Sequence, residues 1–356
     1  MATVTKSIGA SGKDYTTIVL WEADLDNGTP YDAGDIAVGE CYNEVYDEVV
    51  DLDGGGTLRL NSIILSVASG ERHDGTAGTG ARIVRSGSST DIINVTLLSV
   101  PKTVKWIEIN AGGNAVGMSV VNVGALGGVQ GLVGNLLVHD ALNVGNLSPT
   151  GISFDSVDVD IFNCIVYDIA SNYSGTVTSG IRSLGTGTRV RRAFNITIHN
   201  IHHDHVSTGT AYCVEFADDT EITIQNIIAT DPSGPTTATC YKQSSPSNAI
   251  VDHNLSSDAT ASGTGSLINK ASANQFVSTV GGSEDLHLKA GADAIDAGVD
   301  LVTTPTGVNI DINGRDRDAL GDIWDMGAHE FVAVGGGVAP TSTIYGSLWG
   351  PFAGPI

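Results

Sequence analysis

The sequence predicts an all-β fold, a right-handed parallel β-helix with three strands per coil. Two observations predict it. A short motif headed by asparagine recurs five times at intervals of 28 to 32 residues, and apolar residues alternate with polar ones on both sides of it. A near-constant period is typical of repeat proteins, and alternation is typical of strands. The five motif asparagines are Asn135, Asn163, Asn195, Asn226 and Asn254.

The asparagines mark a corner in each coil. Apolar residues follow Asn163 at one and three positions on, but precede it at two and four positions back. This change of phase, without a glycine or proline turn, indicates that the chain bends while both flanking strands face one interior. Asparagine tolerates the left-handed backbone of such a corner, and its amide can hydrogen-bond to the equivalent amide in the next coil. The five asparagines are therefore predicted to form a structural ladder.

A third strand completes each coil. Further extended segments lie upstream of the corners, at residues 151–154, 180–184, 212–216 and 240–242. When each strand pairs in parallel with its equivalent one coil on, no coil buries its apolar face alone, so the stack needs caps at both ends.

A short helix is predicted near the N-terminus. Ile18, Trp21 and Leu25 can share one helical face, and Asp14 or Thr16 can cap its first turn. Such a helix would close the first coil.

The N-terminal segments follow a recognisable order. They are Gly12-Lys-Asp-Tyr-Thr-Thr-Ile18, a short helix with Trp21, and Gly34-Asp-Ile-Ala-Val-Gly-Glu-Cys-Tyr-Asn-Glu44. This order is similar to the N-terminal cap of pectin-lyase-like β-helix proteins. The resemblance covers residues 7–44 and implies that a small helix plugs the first coil.

The C-terminal region carries two further motifs, Asp311-Ile-Asn-Gly-Arg-Asp-Arg317 and Asp325-Met-Gly-Ala-His-Glu-Phe331. Together they resemble the closing signature of bacterial and phage parallel β-helix repeat proteins, of the form DxxGxxR and DxGAxEF. The resemblance implies that Arg317 is locked between carboxylates to finish the last coil. A catalytic role for Asp311, Arg317 and Asp325 is the alternative.

Four regions are predicted along the chain. They are an N-terminal cap at 1–50, a parallel β-helix at 51–280, C-terminal capping coils at 281–331 and an uncharged tail rich in glycine, proline and aromatic residues at 332–356. An uncharged segment with exposed aromatic residues is predicted to attach to a partner, whereas a tail without function is the alternative. The apolar side chains of this attachment tail are Ile344, Tyr345, Leu348, Trp349 and Phe352.

The charge of the chain excludes several partners. Its 356 residues carry a net charge of −23, and its pI is near 4.4. Such a chain repels nucleic acid and anionic membranes, so neither is a predicted partner. The N-terminus has no signal peptide, and no apolar run is long enough to span a bilayer. The chain is therefore expected to stay in the cytoplasm where it is made, and no cofactor is predicted.

Histidines at residues 199–205 suggest one candidate site. Imidazole nitrogens bind Zn²⁺, so His202, His203 and His205 are candidate metal ligands. Their spacing matches no known ligand pattern, and solvated loop histidines in an acidic protein are the alternative.

The candidate catalytic residues are Arg182, Glu215, Asp218 and Asp219. Paired acids such as Asp218 and Asp219 are what a glycosidase requires, although chance proximity in an acidic chain is the alternative. In the polysaccharide lyases that the chain resembles, an Arg or Lys before the corner acts as the base, a role that Arg182 would take. A surface ladder of opposite charges explains Arg182 and Glu215 equally well.

Two functions follow from these features. The first is a phage virion structural protein, a capsid decoration or a spike, that is assembled in the host cytoplasm and forms β-helical homotrimers on the virion surface. Its expected partners are a capsid or tail protein and a carbohydrate of the host surface. The second function is a carbohydrate-active β-helix, a polysaccharide lyase or a glycoside hydrolase resembling a tailspike depolymerase. The acidic solenoid, the missing signal peptide and the uncharged tail favour the structural function over the enzyme.

Overall fold

The chain folds into a parallel β-solenoid of about eight turns with very little helix. Three parallel sheets run side by side along it, and successive turns add one strand to each sheet. This arrangement confirms the predicted all-β parallel β-helix with three strands per coil. The computed structural model describes residues 1–87, 89–97, 99–113, 116–124, 129–143, 145–155, 157–184, 189–217, 221–244, 249–320 and 323–333.

The three sheets are named here in the order in which the chain visits them. In the described residues, sheet A contains the strands Thr3–Ile8, Ile36–Cys41, Ser62–Val67, Lys102–Lys105, Gln130–Gly134, Asp158–Phe162, Arg191–Phe194, Ile222–Gln225 and Ile250–Asp252. Sheet B contains Val45–Tyr46, Arg82–Val84, Glu108–Asn110, Leu137–Asn143, Ile165–Ser171, Thr197–His203, Ile228–Thr230 and Leu255–Ser256. Sheet C contains Val50–Leu52, Ser89–Thr96, Val116–Gly124, Thr150–Ser153, Val177–Ser183, Thr210–Ala217 and Thr237–Ser244.

The space between the three sheets is filled by one apolar core. Each sheet contributes buried side chains to it, such as Ile161 from sheet A, Ile198 from sheet B and Val214 from sheet C. Each coil packs its inner side chains on the coils before and after it, so the burial of one coil depends on its neighbours.

The corners lie between sheet A and sheet B. Four of the motif asparagines have a left-handed backbone, with φ of 53°, 52°, 52° and 58° at Asn135, Asn163, Asn195 and Asn226. Amides connect three of these residues. The Nδ2 of Asn195 donates to the Oδ1 of Asn163 at 3.1 Å, and the Nδ2 of Asn226 donates to the Oδ1 of Asn195 at 3.0 Å.

The two outer asparagines are bonded differently. At the last motif the left-handed residue is His253, with φ of 49°, rather than Asn254. The amide of Asn254 donates to the backbone carbonyl of Ile224 and accepts from the backbone N–H of Ile227, each at 2.9 Å. Asn135 donates to backbone carbonyls near the C-terminus. The amide ladder is therefore shorter than the five members that the repeat predicts.

A short helix, Ile18–Ala23, lies near the N-terminus, where the sequence predicts one. Its N-cap is Thr17, whose Oγ1 accepts a hydrogen bond from the Leu20 backbone N–H at 3.1 Å. The sequence-based choice of Asp14 or Thr16 is therefore one to three residues early.

Trp21 fixes this helix against sheet A. The indole is fully buried, and its Nε1 donates to the hydroxyl of Tyr31 at 2.7 Å. A Cβ atom at Gly39 would lie 2.6 Å from the indole ring, closer than real contacts allow. The glycine in this strand is therefore required for the helix to pack as it does.

The C-terminal residues 272–331, called the strap below, lie along the side of the solenoid. Residues 281–331 of this segment are predicted from the sequence as C-terminal capping coils. Within the described residues, the strap contributes no strand to sheets A, B or C. They contain two short helices, Ser272–Gln275 and Arg317–Leu320, and an antiparallel pair of strands, Phe276–Ser278 and Asp285–Leu288. No helix of the described residues is long and apolar enough to cross a membrane.

The strap covers the asparagine corners. Asn226 donates to the carbonyl of Val299 at 2.8 Å, and Asn195 donates to the carbonyl of Val308 at 3.2 Å. Asn163 and Asn135 reach the next carbonyls of the strap, which belong to Val308, Ile310 and Asp311. The strap therefore runs back along the corners from late coils to early ones.

The strap also makes two apolar cores outside the solenoid. The first joins outward side chains of sheet B to the strap, and it contains Leu137, Ile165, Tyr167, Ile228, Leu255, Phe276, Leu286, Leu288, Ala292, Ala294, Ile312, Met326 and Ala328. The second joins the ends of sheet A strands to the strap and contains Phe162, Phe194, Val308 and Trp324. Burial on this scale explains why a segment without strands of the solenoid stays folded.

Arg317 is the fully buried centre of the strap. Its guanidinium donates to the carboxylate of Glu330 at 2.6 Å and to the carbonyl of Gly327 at 2.8 Å. The carboxylates of Asp311 and Asp325 accept backbone N–H groups instead, including those of residues 330 and 331. Arg317 is thus locked structurally, but by Glu330 and backbone carbonyls rather than by the two aspartates of the closing signature.

Candidate functional site

A groove opens on the outward face of sheet B. Its volume is about 620 Å³, and its walls are the loop at residues 76–78 and the strap turn at residues 282–285. A second depression of about 550 Å³ continues it and shares Asn110 and Asp140 with it. The combined trough crosses five successive strands of sheet B, from Arg82 to Asn200. At roughly 4.8 Å between strands, it is on the order of 19 Å long.

A column of bulged residues forms the floor of the groove. In the pairing of the strands Leu137–Asn143 and Ile165–Ser171, His139 lies opposite Tyr167 and Ala141 lies opposite Ile169. The residue that follows His139 or Tyr167 has no partner in this ladder. These omitted residues have φ between 51° and 57° and are Asp140, Asp168 and Asn200 in three successive coils. Asp and Asn tolerate this left-handed backbone, and such a bulge redirects their side chains.

His139 is held between two carboxylates beside this column. Its imidazole bonds to Glu108 Oε1 at 3.1 Å through Nε2 and to Asp140 Oδ2 at 3.0 Å through Nδ1. Burial lowers the pKa of His139, but the two hydrogen bonds and the two negative charges outweigh it and raise the pKa to about 9. The ring is therefore an imidazolium at neutral pH, stacked 4.9 Å from the parallel ring of Tyr167.

Asp140 is consequently held in its ionised form. The hydrogen bond from His139 lowers the pKa of Asp140, against the opposing effect of burial, and the amide of Asn110 adds a bond of 3.0 Å. Its side chain is 44% exposed, so a ligand in the groove can reach the carboxylate.

Asp168 has the opposite electrostatic environment. Burial and the carboxylate of Glu284 from the strap raise the pKa of Asp168, a bond of 2.6 Å from the Asn200 amide opposes them, and the net result is a pKa of about 6. The two aspartates occupy equivalent positions one coil apart, so their backbones lie roughly one strand spacing, ~5 Å, from each other. One carboxylate and one carboxylic acid at this separation can carry out acid–base chemistry on a bond between them.

The candidate residues Arg182 and Glu215 lie on sheet C, away from this groove. Pairing registers place Ser153, Arg182, Glu215 and Lys242 in one column across four coils. Glu215 accepts a hydrogen bond of 2.7 Å from Ser179 Oγ and lies in register between Arg182 and Lys242. The charges alternate along this column, although Arg182 and Glu215 are both buried rather than on the surface.

The remaining candidate acids and the tail lie outside the described residues. These are Asp218, Asp219, Ile344, Tyr345, Leu348, Trp349 and Phe352.

The three candidate metal ligands do not converge. His203 Nε2 bonds to Thr176 Oγ1 at 2.9 Å, and His202 Nδ1 bonds to Asp204 at 3.0 Å. The Nδ1 of His205 accepts N–H groups of its own loop. Across the described ranges no group of three or more His, Cys, Asp or Glu side chains is placed to hold a metal ion.

The groove residues were not predicted from the sequence, although it contains a signal for some of them. The fifth residue after each of four motif asparagines is Asp140, Asp168, Asn200 or Asp231, a second Asp/Asn column at the repeat period. That pattern predicts left-handed positions as directly as the corner asparagines do. Glu284 carried no such signal, because the strap that delivers it does not repeat.

Comparisons with known proteins identify no family. No protein-family model matches the chain, and no curated protein matches its sequence. Among solved structures, the pectin methylesterase from Aspergillus niger, in deglycosylated form, aligns with 83% of this chain and 91% of its own length, at 9% identity and a TM-score of 0.25. A TM-score at this level carries no argument about activity or site, which therefore depend on the geometry of the groove.

Proposed function

We propose that the groove on sheet B binds a glycan and hydrolyses its glycosidic bonds, with Asp168 as general acid and Asp140 as the opposing carboxylate. The observation that carries this proposal is the pair itself. Two aspartates at equivalent bulges on the floor of an open groove have pKa values moved in opposite directions by their neighbours. Enzymes that cleave glycosides require this division of protonation between two carboxyl groups.

The separation of the two aspartates favours a retaining mechanism. Carboxyl groups roughly 5 Å apart leave no room for a water molecule between the attacking group and the sugar. Asp140 is then the nucleophile that forms the glycosyl intermediate, and Asp168 protonates the leaving oxygen. Asp168, now ionised, next takes a proton from the water that releases the product.

His139 acts as a positioning residue in this scheme. It lines the groove, but its side chain is only 1% exposed, so it acts through Asp140 rather than on the substrate. Its hydrogen bond fixes the orientation of Asp140 and keeps it ionised, and Glu108 on the far side stabilises the imidazolium.

The charge of the groove restricts the glycan class. Six carboxylates line the trough and its walls, at Glu108, Asp140, Asp168, Asp204, Glu284 and Asp285, against the guanidinium of Arg82 and the imidazolium of His139. A polyanionic chain would be repelled. The substrate that fits is a neutral or amino-sugar polysaccharide.

The proposal is tested by incubating the protein with neutral and amino-sugar polysaccharides and measuring new reducing ends. Asp140→Asn and Asp168→Asn should each lower kcat by about 100-fold or more, the usual contribution of such groups. Asp231→Asn is the matched control, because it lies in the same column with φ of 54° but does not line the groove. Full activity of both groove variants would exclude the proposal, and unsaturated products would indicate a lyase instead.

A virion structural role remains a prediction of the sequence, together with homotrimer formation and a capsid or tail partner. It depends on the attachment tail, most of which lies outside the described residues. Trp349→Ala combined with Phe352→Ala should abolish attachment to particles or sister subunits while the solenoid still melts normally. Unchanged attachment of this double variant would exclude that role.

A further inference from the structure

A second cavity lies on the other side of the asparagine corners, on the outward face of sheet A. Its volume is about 390 Å³, and residues 306, 307 and 310 of the strap form one wall. Side chains that decide its chemistry are Arg72, Lys105 and Trp106, with Leu132 completing an apolar surface. None of these residues lines the groove on sheet B.

The two cations of this cavity lack the partners that other cations of the protein have. Arg192 contacts Asp160 at 2.5 Å, Lys270 contacts Asp293 at 2.6 Å, and Arg317 contacts Glu330 at 2.6 Å. In the described part of the chain, neither Arg72 nor Lys105 has a carboxylate within 4.0 Å. In a chain with 40 acidic and 17 basic residues, these two cations share a cavity whose described lining contains no acidic residue.

Arg72 is held in place by an aromatic ring. Its guanidinium lies 4.4 Å from the ring centroid of Trp106, a cation–π contact. Its Nε is buried and has no hydrogen-bond partner among the described residues. The planar guanidinium is thus positioned by the indole.

Trp106 adopts an unusual backbone to make this contact. Its φ is 69°, in the left-handed region that the corner asparagines occupy in the following coils. A bulky residue is a genuine outlier in this region, and the conformation costs on the order of 1–2 kcal/mol. An asparagine would fit the corner without this strain, so the indole is retained here against a local penalty, as at binding sites.

The field in the cavity is positive. Burial lowers the pKa of Lys105, and the charge of Arg72 lowers it further; burial also lowers the pKa of Arg72, against an attraction to the more distant Glu40. An anion between the two cations would offset this repulsion.

We infer that the cavity formed by Arg72, Lys105 and Trp106 binds an oxyanion, a carboxylate, sulfate or phosphate group, on a ligand whose apolar face packs against Trp106 and Leu132. Arg72 supplies the planar fork, Lys105 supplies a mobile ammonium, and the indole supplies a flat surface. The inference does not depend on hydrolysis in the groove of sheet B.

Titration with small anions tests this inference. Sodium sulfate, inorganic phosphate and acetate are added separately at constant ionic strength with chloride as background, and binding is followed by calorimetry and by tryptophan fluorescence. Saturable binding of at least one anion is expected, and the strongest of the three identifies the oxyanion class. Absence of saturable binding by all three overturns the inference.

Substitutions locate the binding. Arg72→Gln and Lys105→Gln should each weaken binding by about tenfold or more, since each removes one of two charged donors. Lys270→Gln removes the same charge from an exposed pair and should bind as the wild type does. Arg72→Lys keeps the positive charge but removes the planar guanidinium, and it should bind the anion with intermediate affinity. This variant tests the site if Arg72→Gln does not fold. Equal affinity of Lys105→Gln and the wild type overturns the inference.

Discussion

The inner face of the coils and the outer face of sheet B are both well packed, but they are built by different rules. Inside, residues such as Ile161 and Ile198 repeat at each coil and pack on their own equivalents. Outside, Ile228 and Leu137 pack on a strap that has no repeat. The comparison shows that a periodic sequence pattern predicts contacts between repeats. It does not predict the contacts of the strap, which lies across the repeats and has no repeat of its own.

The asparagine corners belong to both regions. Asn163, Asn195 and Asn226 donate to one another or to the strap, and each is fully buried. Their left-handed backbone forms the corner of each coil. Their side-chain amides donate hydrogen bonds to backbone carbonyls of the strap, which contributes no strand to the solenoid. A corner asparagine is therefore also a docking residue.

The largest effect is expected where the outer region depends on one side chain. Arg317→Ala leaves the Glu330 carboxyl and two strap carbonyls without their buried donor, and it should lower the free energy of unfolding by about 3–5 kcal/mol. Limited proteolysis should then cut within residues 272–331 while the circular dichroism of the solenoid is retained. Lys270→Ala, at an exposed pair, should change stability by less than about 1 kcal/mol. An equal effect of the two variants would contradict the central role of Arg317.

A smaller effect is expected where the two regions meet. Asn195→Ala removes the amide bonds and also places alanine at φ of 52°, so unfolding should become easier by about 2–3 kcal/mol. Asn195→Gly restores the backbone preference without the amide. Urea unfolding of the two variants separates the effect of the left-handed backbone from the effect of the amide hydrogen bonds. Identical unfolding midpoints for Asn195→Ala and Asn195→Gly would show that the backbone conformation contributes a negligible free energy.

Two glycines separate strain from contact. A Cβ atom at Gly327, with φ of 90°, would lie 2.7 Å from the side chain of Ile228, whereas Gly113, with φ of 65°, has nothing within 4 Å of such an atom. Gly327→Ala should lower stability by about 1–2 kcal/mol more than Gly113→Ala, because only the first displaces the strap. Equal losses of thermal stability in the two variants would mean that the strap moves away from Ile228 at little cost.

The smallest effect is a difference in pH dependence between the regions, at most about 1.4 kcal/mol per pH unit for each group. The raised pKa of His139, about 9, gives stability that is present below pH 6.5 and is lost as pH rises from 6.5 towards 9. Burial and the charges of His287 and Arg315 lower the pKa of His329 to about 2, so its contribution is present above pH 6.5 and is lost as pH falls. His139→Gln should flatten the alkaline loss of stability, and His329→Gln should flatten the acid loss. Melting curves at several pH values would show parallel profiles if neither histidine titrates in this way.

The catalytic proposal has its own pH signature. The rate should fall above pH 6 as Asp168 loses its proton, and it should fall in acid only below the usual range of an aspartate, because the pKa of Asp140 is lowered. His139→Gln should move the acid limb to higher pH and leave the other limb in place. Activity that rises steadily from pH 5 to pH 9 would exclude Asp168 as the acid.

Much of the solenoid could be predicted from the sequence because its interactions recur. The alternation around Asn163 fixed both the strand type and the corner, and Asn195 and Asn226 adopt the expected backbone. Asn254 departs from the pattern because its amide donates to the carbonyl of Ile224, while the Oδ1 of Asn226 accepts from the Val299 backbone N–H of the strap. The second column at Asp140 and Asp168 was equally visible as a repeat, and only its meaning was missed.

The strap could not be predicted in the same way. Asn135 bonds to Asp311, which is 176 residues further along the chain, and no periodic pattern relates the two. Glu284 reaches Asp168 by the same route, so the environment of the proposed acid was not readable either. Arg72 lies in a loop. Its contact residue Trp106 occupies a corner position at which the following coils have asparagine, so the repeat does not predict the contact.

The backward course of the strap sets an order of assembly on the ribosome. Coils can stack on one another as they emerge, from the strand Thr3–Ile8 to the strand Leu255–Ser256. Residues 282–285, which wall the groove, and residues 299–311, which cover the corners, are synthesised after the last of these strands. A nascent chain can therefore carry stacked coils with an open flank, and Asp168 acquires the part of its raised pKa that comes from Glu284 only after the strap has been synthesised.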